Sequence, residues 1–257
     1  MADKIVFLDI DGTIVDHEKK IPLETKLAVK KLKAKGIHVA IATGRAPFMI
    51  EGIRRDLDID SYVCFNGQYV VLDGKTVYEN PLTMEQLTAL TKKAKQSGHA
   101  MVYLNHEGMR ASVKEDPFIA DSLSTLKFAY PEVDPEYFYK KEIYQALLFC
   151  ENNEETAYDT DDDSFTLIRW HEYSCDVLPG GGSKAVGVNK LIEASGLNIE
   201  DAYAFGDGLN DIEMIKHVGT GVAMGNAVPE LKAVADHVIG EVDDAGLAKG
   251  MAQLGLL

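Results

Sequence analysis

Asp9 and Asp11 stand two positions apart at the end of an apolar run in KIVFLDIDGTIV, where five of the six residues 5–10 are apolar. Carboxylates at the end of a buried strand are costly to desolvate, and two close together repel, unless a cation compensates them. Three further polar clusters lie beside apolar runs in the same way. They are Thr43-Gly44-Arg45 after IHVAIA, Asp207 with Asn210 and Asp211 in GDGLND after DAYAF, and Lys184 in LPGGGSKAVG. Several hard oxygen donors with no His or Cys among them suit Mg²⁺. Such a cation would accept a phosphoryl oxygen, and Lys184 would screen an attacking carboxylate from a phosphate. Thr43 offers a hydroxyl donor, and the Gly44 amide at a helix start is a natural phosphate seat. The chemistry within reach of this set is phosphoryl transfer.

Residues so far apart in sequence meet only if the elements carrying them converge. From Lys4 to about Asn80 strand and helix alternate, through KIVFLDI, PLETKLAVKKLKAKG, IHVAIAT, RAPFMIEGIRRDL and SYVCFNG. A hairpin then turns at Asp73-Gly74. The C-terminal part resumes the rhythm with SKAVGVNKLIEASG, DAYAFGD, NDIEMIKHVG, TGVAMG, VPELKAVAD and DDAGLAKGMAQLG. Near-continuous apolar strands alternating with helices predict an α/β fold with a doubly wound parallel sheet. In such sheets ligands bind at the carboxyl ends of the strands, so the four polar clusters should share one rim. The middle differs: a helix at TMEQLTALTKKAKQSG is followed by short strands at HAMVYL, MRASV, YQALLFC, SFTLIRW and YSCDV. Acidic or proline-bearing loops are expected between them. This predicts an α+β module inserted into the α/β domain.

The chain has a formal net charge of −15, from 26 bases and 41 acids. That excludes nucleic acid and anionic membranes as default partners, and means that any phosphate site must build a local positive field. The acidic run DTDDDS at 159–164 reads as a solvated loop. No stretch reaches the roughly 20 apolar residues of a membrane span, and acids at Asp3, Asp9 and Asp11 do not suit a secretory leader. The cysteines Cys64, Cys150 and Cys175 are odd in number and lie among apolar neighbours, so reduced thiols and a cytoplasmic protein are expected. DIDG is not a calcium loop, whose Gly belongs at the sixth position. GGGSK is not a nucleotide-binding P-loop, because Ser183 precedes Lys184.

DIDGT, TGR, a Lys opening a helix and GDGLND, in this order, resemble the haloacid dehalogenase (HAD) superfamily of phosphotransferases. The similarity spans the whole α/β part. Only 32 positions separate Asp11 from Thr43, whereas 141 separate Thr43 from Lys184, which places the inserted module in the second gap. A large α+β cap there, and the phrase CFNG, are similar to the Cof-type subfamily with its type IIB cap. The resemblance implies a Rossmann-like catalytic core at 1–81 and 179–257 and a substrate-selecting cap at 82–178. It implies Asp9 as nucleophile and Asp11 as general acid and then base. Mg²⁺ would be held by the Asp9 carboxylate, the Asp11 carbonyl and Asp207, with Asp211 acting through water or hydrogen bonds. Thr43, Lys184, Asn210 and the amides of Ile10 and Gly44 would hold the phosphoryl group, and Arg45 and Asn66 would face the substrate.

An acid at position 11 favours phosphate-ester hydrolysis or phosphomutase chemistry over dehalogenation. The expected activity is therefore hydrolysis of small phosphomonoesters, sugar phosphates or phosphorylated cofactors, through an aspartyl-phosphate. A phosphomutase and a non-catalytic phosphometabolite sensor are the alternatives. The Lys stretch departs from the family pattern at Ala185, where Gly is commoner.

Overall fold

Apolar β-branched runs become strands, and the amphipathic stretches between them become helices, over residues 4–158 and 164–257, which the computed structural model describes. The expected acidic loop at 159–164 lies outside these residues except for Ser164. The chain begins with β1 (Ile5–Leu8), α1 (Leu23–Ala34), β2 (His38–Ala42), α2 (Glu51–Leu57), β3 (Ser61–Cys64), β4 (Tyr69–Leu72) and β5 (Lys75–Glu79). Next come α3 (Met84–Ser97), β6 (Ala100–Leu104), β7 (Met109–Ala111), α4 (Pro117–Thr125), β8 (Gln145–Phe149), β9 (Phe165–His171) and β10 (Ser174–Pro179). It closes with α5 (Lys184–Ser195), β11 (Ala202–Gly206), α6 (Ile212–His217), β12 (Thr220–Ala223), α7 (Pro229–Lys232), β13 (His237–Val238) and α8 (Gly246–Gln253).

Two compact units result, one of residues 4–45, 49–78 and 183–257, the other of residues 46–48, 79–158 and 164–182. The first is built on the sheet β13-β12-β11-β1-β2-β3-β4-β5. Pairing is parallel from β13 to β3 and turns antiparallel between β3 and β4. β1 lies between β11 and β2, and its four side chains are buried, which is why its sequence is apolar without alternation. From β1 the chain winds outward through β2 and β3, and later returns on the other side through β11, β12 and β13. The carboxyl end of β1 is thus a topological switch point, where a crevice opens. Asp9 follows it directly.

In the second unit the sheet β7-β6-β8-β10-β9 is antiparallel. Its core gathers Leu87 and Leu90 of α3 with Tyr103, Phe138, Leu148 and Val177. One segment expected as loop is the helix α4. Asp116 caps it by accepting the Ile119 amide at 3.0 Å, and Pro117 occupies the first turn, where its missing N–H is harmless. Two expected helices are shorter than the sequence suggested. In RAPFMIEGIRRDL a single turn at Pro47–Met49 precedes α2, because Pro47 disfavours helical geometry at Ala46 and Ile50 breaks the path at φ −111°. In VPELKAVAD only Pro229–Lys232 is helical, since Asp236 turns back to bond the Gly221 amide with its carboxylate at 2.8 Å.

Glycine-to-glycine packing seats α5. Gly67 has φ +103°, and a Cβ there would lie 2.0 Å from the Ser183 carbonyl oxygen; a Cβ on Gly187 would lie 2.6 Å from the Gly67 Cα. The turn after β3 and the start of α5 therefore approach more closely than any side chain permits. Gly67→Ala should lower the melting temperature by about 4 °C or more, because strain and backbone overlap add. An unchanged thermal melt would contradict this packing.

Candidate active site

The end of β1 continues its ladder through Asp9, whose amide donates to the Phe205 carbonyl at 3.0 Å. This carries the Asp9 side chain into a buried position beside the end of β11. Lys184, the first residue of α5, is fully buried, and Ser183 caps the helix before it. Its Nζ donates to Asp9 Oδ1 at 2.6 Å and to Asp211 Oδ1 at 2.7 Å. These contacts form with Ala185 as the next residue of the helix. Asp211 is also wholly buried; its Oδ2 accepts the amides of Asp207 and Gly208, each at 3.0 Å. Gly206 makes room for it, since a Cβ there would lie 2.6 Å from the Asp211 carboxyl carbon.

Carboxylate oxygens of Asp9, Asp207 and Asp211 lie within 4.8 Å of one another. With all three ionised, these carboxylates against the one ammonium of Lys184 would carry a net charge of −2, which works against their ionisation. Burial raises the Asp9 carboxyl well above its ordinary value, against the pull of Lys184, and Asp211 and Asp207 push it further up. Burial and the Asp211 charge raise Asp207 to about 7. Lys184 moves upward despite burial, because Asp211 and Asp9 hold its proton. Asp211 has both oxygens engaged, whereas Asp9 Oδ2 and Asp207 Oδ1 have no donor among the described residues. Two open hard oxygens in a nest short of two positive charges fit a divalent cation of the Mg²⁺ class.

Asp11 sits apart from this nest. Arg45 grips its carboxylate bidentately, Nε to Oδ2 at 2.8 Å and Nη2 to Oδ1 at 2.6 Å, and Lys19 Nζ adds a contact to Oδ1 at 2.6 Å. Burial alone would raise this carboxyl, but the hydrogen bonds and charge of Arg45, joined by Lys19, hold it below the ordinary value. Lys19 reaches Asp11 from a tight turn in which Asp16 Oδ1 accepts the amides of Glu18 and Lys20, at 2.9 and 2.8 Å.

Thr43 is buried at the end of β2, and its hydroxyl accepts the Arg45 amide at 3.1 Å. Asn66 is buried too, at φ +50°. Its amide donates to the Thr43 carbonyl, and its Oδ1 accepts Asn210 Nδ2, both at 3.1 Å. Asn66 thus ties the Thr43 loop to the Asn210 loop. The amides of Ile10 and Gly44 make no hydrogen bond among the described residues. The structure therefore gathers Asp9, Lys184, Asp207 and Asp211 tightly, and links Thr43 with Asn66 and Asn210. Asp11 and Arg45 form a separate ion pair.

Two neighbours were not singled out from sequence. Lys19 belongs to the ordinary polar stretch DHEKK, which gives no signal. Asn226 was legible by the strand-end rule, because it follows the apolar TGVAMG. Its Nδ2 lies 2.9 Å from the Gly12 carbonyl and 3.3 Å from Asp207 Oδ2.

A family profile described as haloacid dehalogenase-like hydrolase matches residues 6–251. The chain belongs to that family. It is an enzyme of the family's phosphatase type. The chain is 49% identical over 257 residues, the full length of both proteins, to YkrA of Bacillus subtilis (strain 168), which carries a provisional phosphatase name. It is 28% identical to the pyridoxal phosphate phosphatase YbhA of Escherichia coli (strain K12), over 94% of each chain. The solved structure of the HAD subclass IIB sugar phosphatase BT4131 is similar at a TM-score of 0.87, with 30% identity over 99% of this chain and all of that one.

A proton held by native Asp207 near pKa 7, against an ordinary 3.8, gives the folded state the greater proton uptake between about pH 4 and 7. Stability contributed by this group therefore falls as pH rises through that window. With chelator present, Asp207→Asn should melt above the wild type, and by more at about pH 8 than at about pH 5. Equal differences at the two pH values would contradict the raised carboxyl.

Proposed function

We propose that this chain is a Mg²⁺-dependent phosphatase that hydrolyses small phosphomonoesters through an aspartyl-phosphate on Asp9. The observation that carries this reading is the buried Lys184 ammonium bridging Asp9 and Asp211 with Asp207 adjacent, one cationic side chain among three acids. Asp9 and Asp207 would hold the cation, together with the Asp11 carbonyl. When bound, the cation neutralises these acids and draws charge from a phosphoryl oxygen.

Asp9 attacks phosphorus in line through the carboxylate oxygen not given to the cation, and the bond to the leaving oxygen breaks as the aspartyl-phosphate forms. Lys184 draws Asp9 toward its ionised form and screens it from the incoming anion. Thr43, Asn210 and the Ile10 and Gly44 amides receive the non-reacting oxygens, which is most of what phosphoryl transfer asks of a protein. The leaving alkoxide takes a proton from Asp11. Asp11 as carboxylate then removes a proton from water, whose oxygen attacks the aspartyl-phosphate and releases inorganic phosphate and Asp9. Clasped by Arg45 and Lys19, Asp11 has the ionised form that this second step uses. Exchange of those cations onto the entering anion returns to Asp11 the capacity to carry a proton for the first step.

Among substrates, sugar phosphates and phosphorylated cofactors come first, in keeping with the activities for which BT4131 and YbhA are named. The module at 82–178 would choose between them. Three free, buried cysteines favour a reducing compartment such as the cytoplasm, and among the described residues no helix is long and apolar enough to cross a membrane.

Purified protein should hydrolyse p-nitrophenyl phosphate with Mg²⁺ and lose the activity when chelated. Asp9→Asn should retain the fold by circular dichroism while turnover drops by about three orders of magnitude or more, as loss of a nucleophile does. Hydrolysis insensitive to chelator, or near-normal turnover in Asp9→Asn, would refute the mechanism.

A further inference from the structure

Asn226 follows β12, and its carboxamide is fixed at both ends. Nδ2 donates to the Gly12 carbonyl at 2.9 Å and to Asp207 Oδ2 at 3.3 Å, while Oδ1 accepts the Val242 amide at 3.0 Å. The reverse orientation of this amide would set oxygen against a carbonyl and a carboxylate, and NH₂ against N–H, so the neighbours dictate which end is which. The backbone beneath is equally constrained. Gly225 donates to the Gly240 carbonyl at 2.9 Å, and Val228 donates to the Asp207 carbonyl at 2.9 Å. A Cβ on Gly12 would lie 2.2 Å from Asp207 Oδ2. One neutral side chain thereby joins the loop after β1, the end of β11, the end of β12 and the segment after β13.

We infer that Asn226 is the positioning residue that aims Asp207 for the divalent cation; this rests on the reading of Asp9 and Asp207 as the residues that hold Mg²⁺. A short carboxylate beside Asp9 and Asp211 is driven away from them by like charge. Asn226 opposes that by holding Oδ2, which leaves Oδ1 without a donor among the described residues and open to the cation. It does so with a dipole. A lysine in its place would orient Asp207 as well, but its charge would offset the carboxylates and compete with the cation. By bonding the Gly12 carbonyl, the same amide also fixes Asp207 relative to the loop that carries Asp9 and Asp11. Partners of this kind around ligating carboxylates typically change metal affinity by about 10- to 100-fold when removed.

Isothermal titration of the full chain with MgCl₂ alone, with no substrate, tests the inference. Asn226→Ala should weaken the Mg²⁺ dissociation constant by about 10-fold or more. It should also shrink the Mg²⁺-induced rise in melting temperature by more than it lowers the melting temperature of the chelated protein. Asn226→Ser, which keeps a small hydroxyl donor, should fall between the two and stands in should the alanine variant not fold. If wild type binds Mg²⁺ and the variants bind it equally well, or lose affinity only in step with the stability of the chelated form, Asn226 has no positioning role. If wild type itself does not take up Mg²⁺ at millimolar concentration, the metal reading of Asp9 and Asp207 is what fails.

Discussion

A single buried ammonium organises this protein's site. Lys184 lies between Asp9 and Asp211 with no exposure to solvent, at 2.6 and 2.7 Å. Stripping water from an ammonium and two carboxylates costs several kcal/mol per ion, and only close, well-aligned pairing offsets it. The three residues sit on different elements, the end of β1, the start of α5 and the loop after β11. A parallel sheet wound in both directions from β1 brings two of those ends side by side, and the Gly67–Gly187 approach sets the third over them.

One ammonium pairs with two of the three nearby carboxylates and can offset the charge of only one, so ionising all three leaves an excess of negative charge in the nest. Asp211 has both oxygens engaged, by Lys184 and by two backbone amides. Asp9 and Asp207 keep an oxygen each. Asp11, two residues along the same loop as Asp9, lives in a different field, gripped by Arg45 and Lys19. Burial and like charge raise one carboxyl of the DxD pair while cations lower the other.

Much of the architecture could be read from local pattern. Strand–helix alternation fixed the α/β class, because apolar runs without alternation are stable only between two covered faces. The Asp73-Gly74 turn follows from the positive φ that both residues adopt, 48° and 75°. Helix ends were less legible. α4 was hidden because its start signal, Asp116-Pro117, also reads as loop chemistry, and the end of α7 was decided by a distant partner, Gly221.

By itself, then, the sequence determined which side chains could act and on which strand ends they stand, since side-chain chemistry and hydrophobic period are properties of a few consecutive residues. It also determined, through the order and spacing of DIDGT, TGR, Lys184 and GDGLND, the family to which those ends belong. Only the tertiary structure decided how the charges are shared: Lys184 with Asp9 and Asp211, Arg45 and Lys19 with Asp11, Asn226 with Asp207. Ion pairing and carboxylate orientation depend on distances of a few ångströms between residues as far apart as the 175 positions from Asp9 to Lys184, and no local pattern encodes those distances.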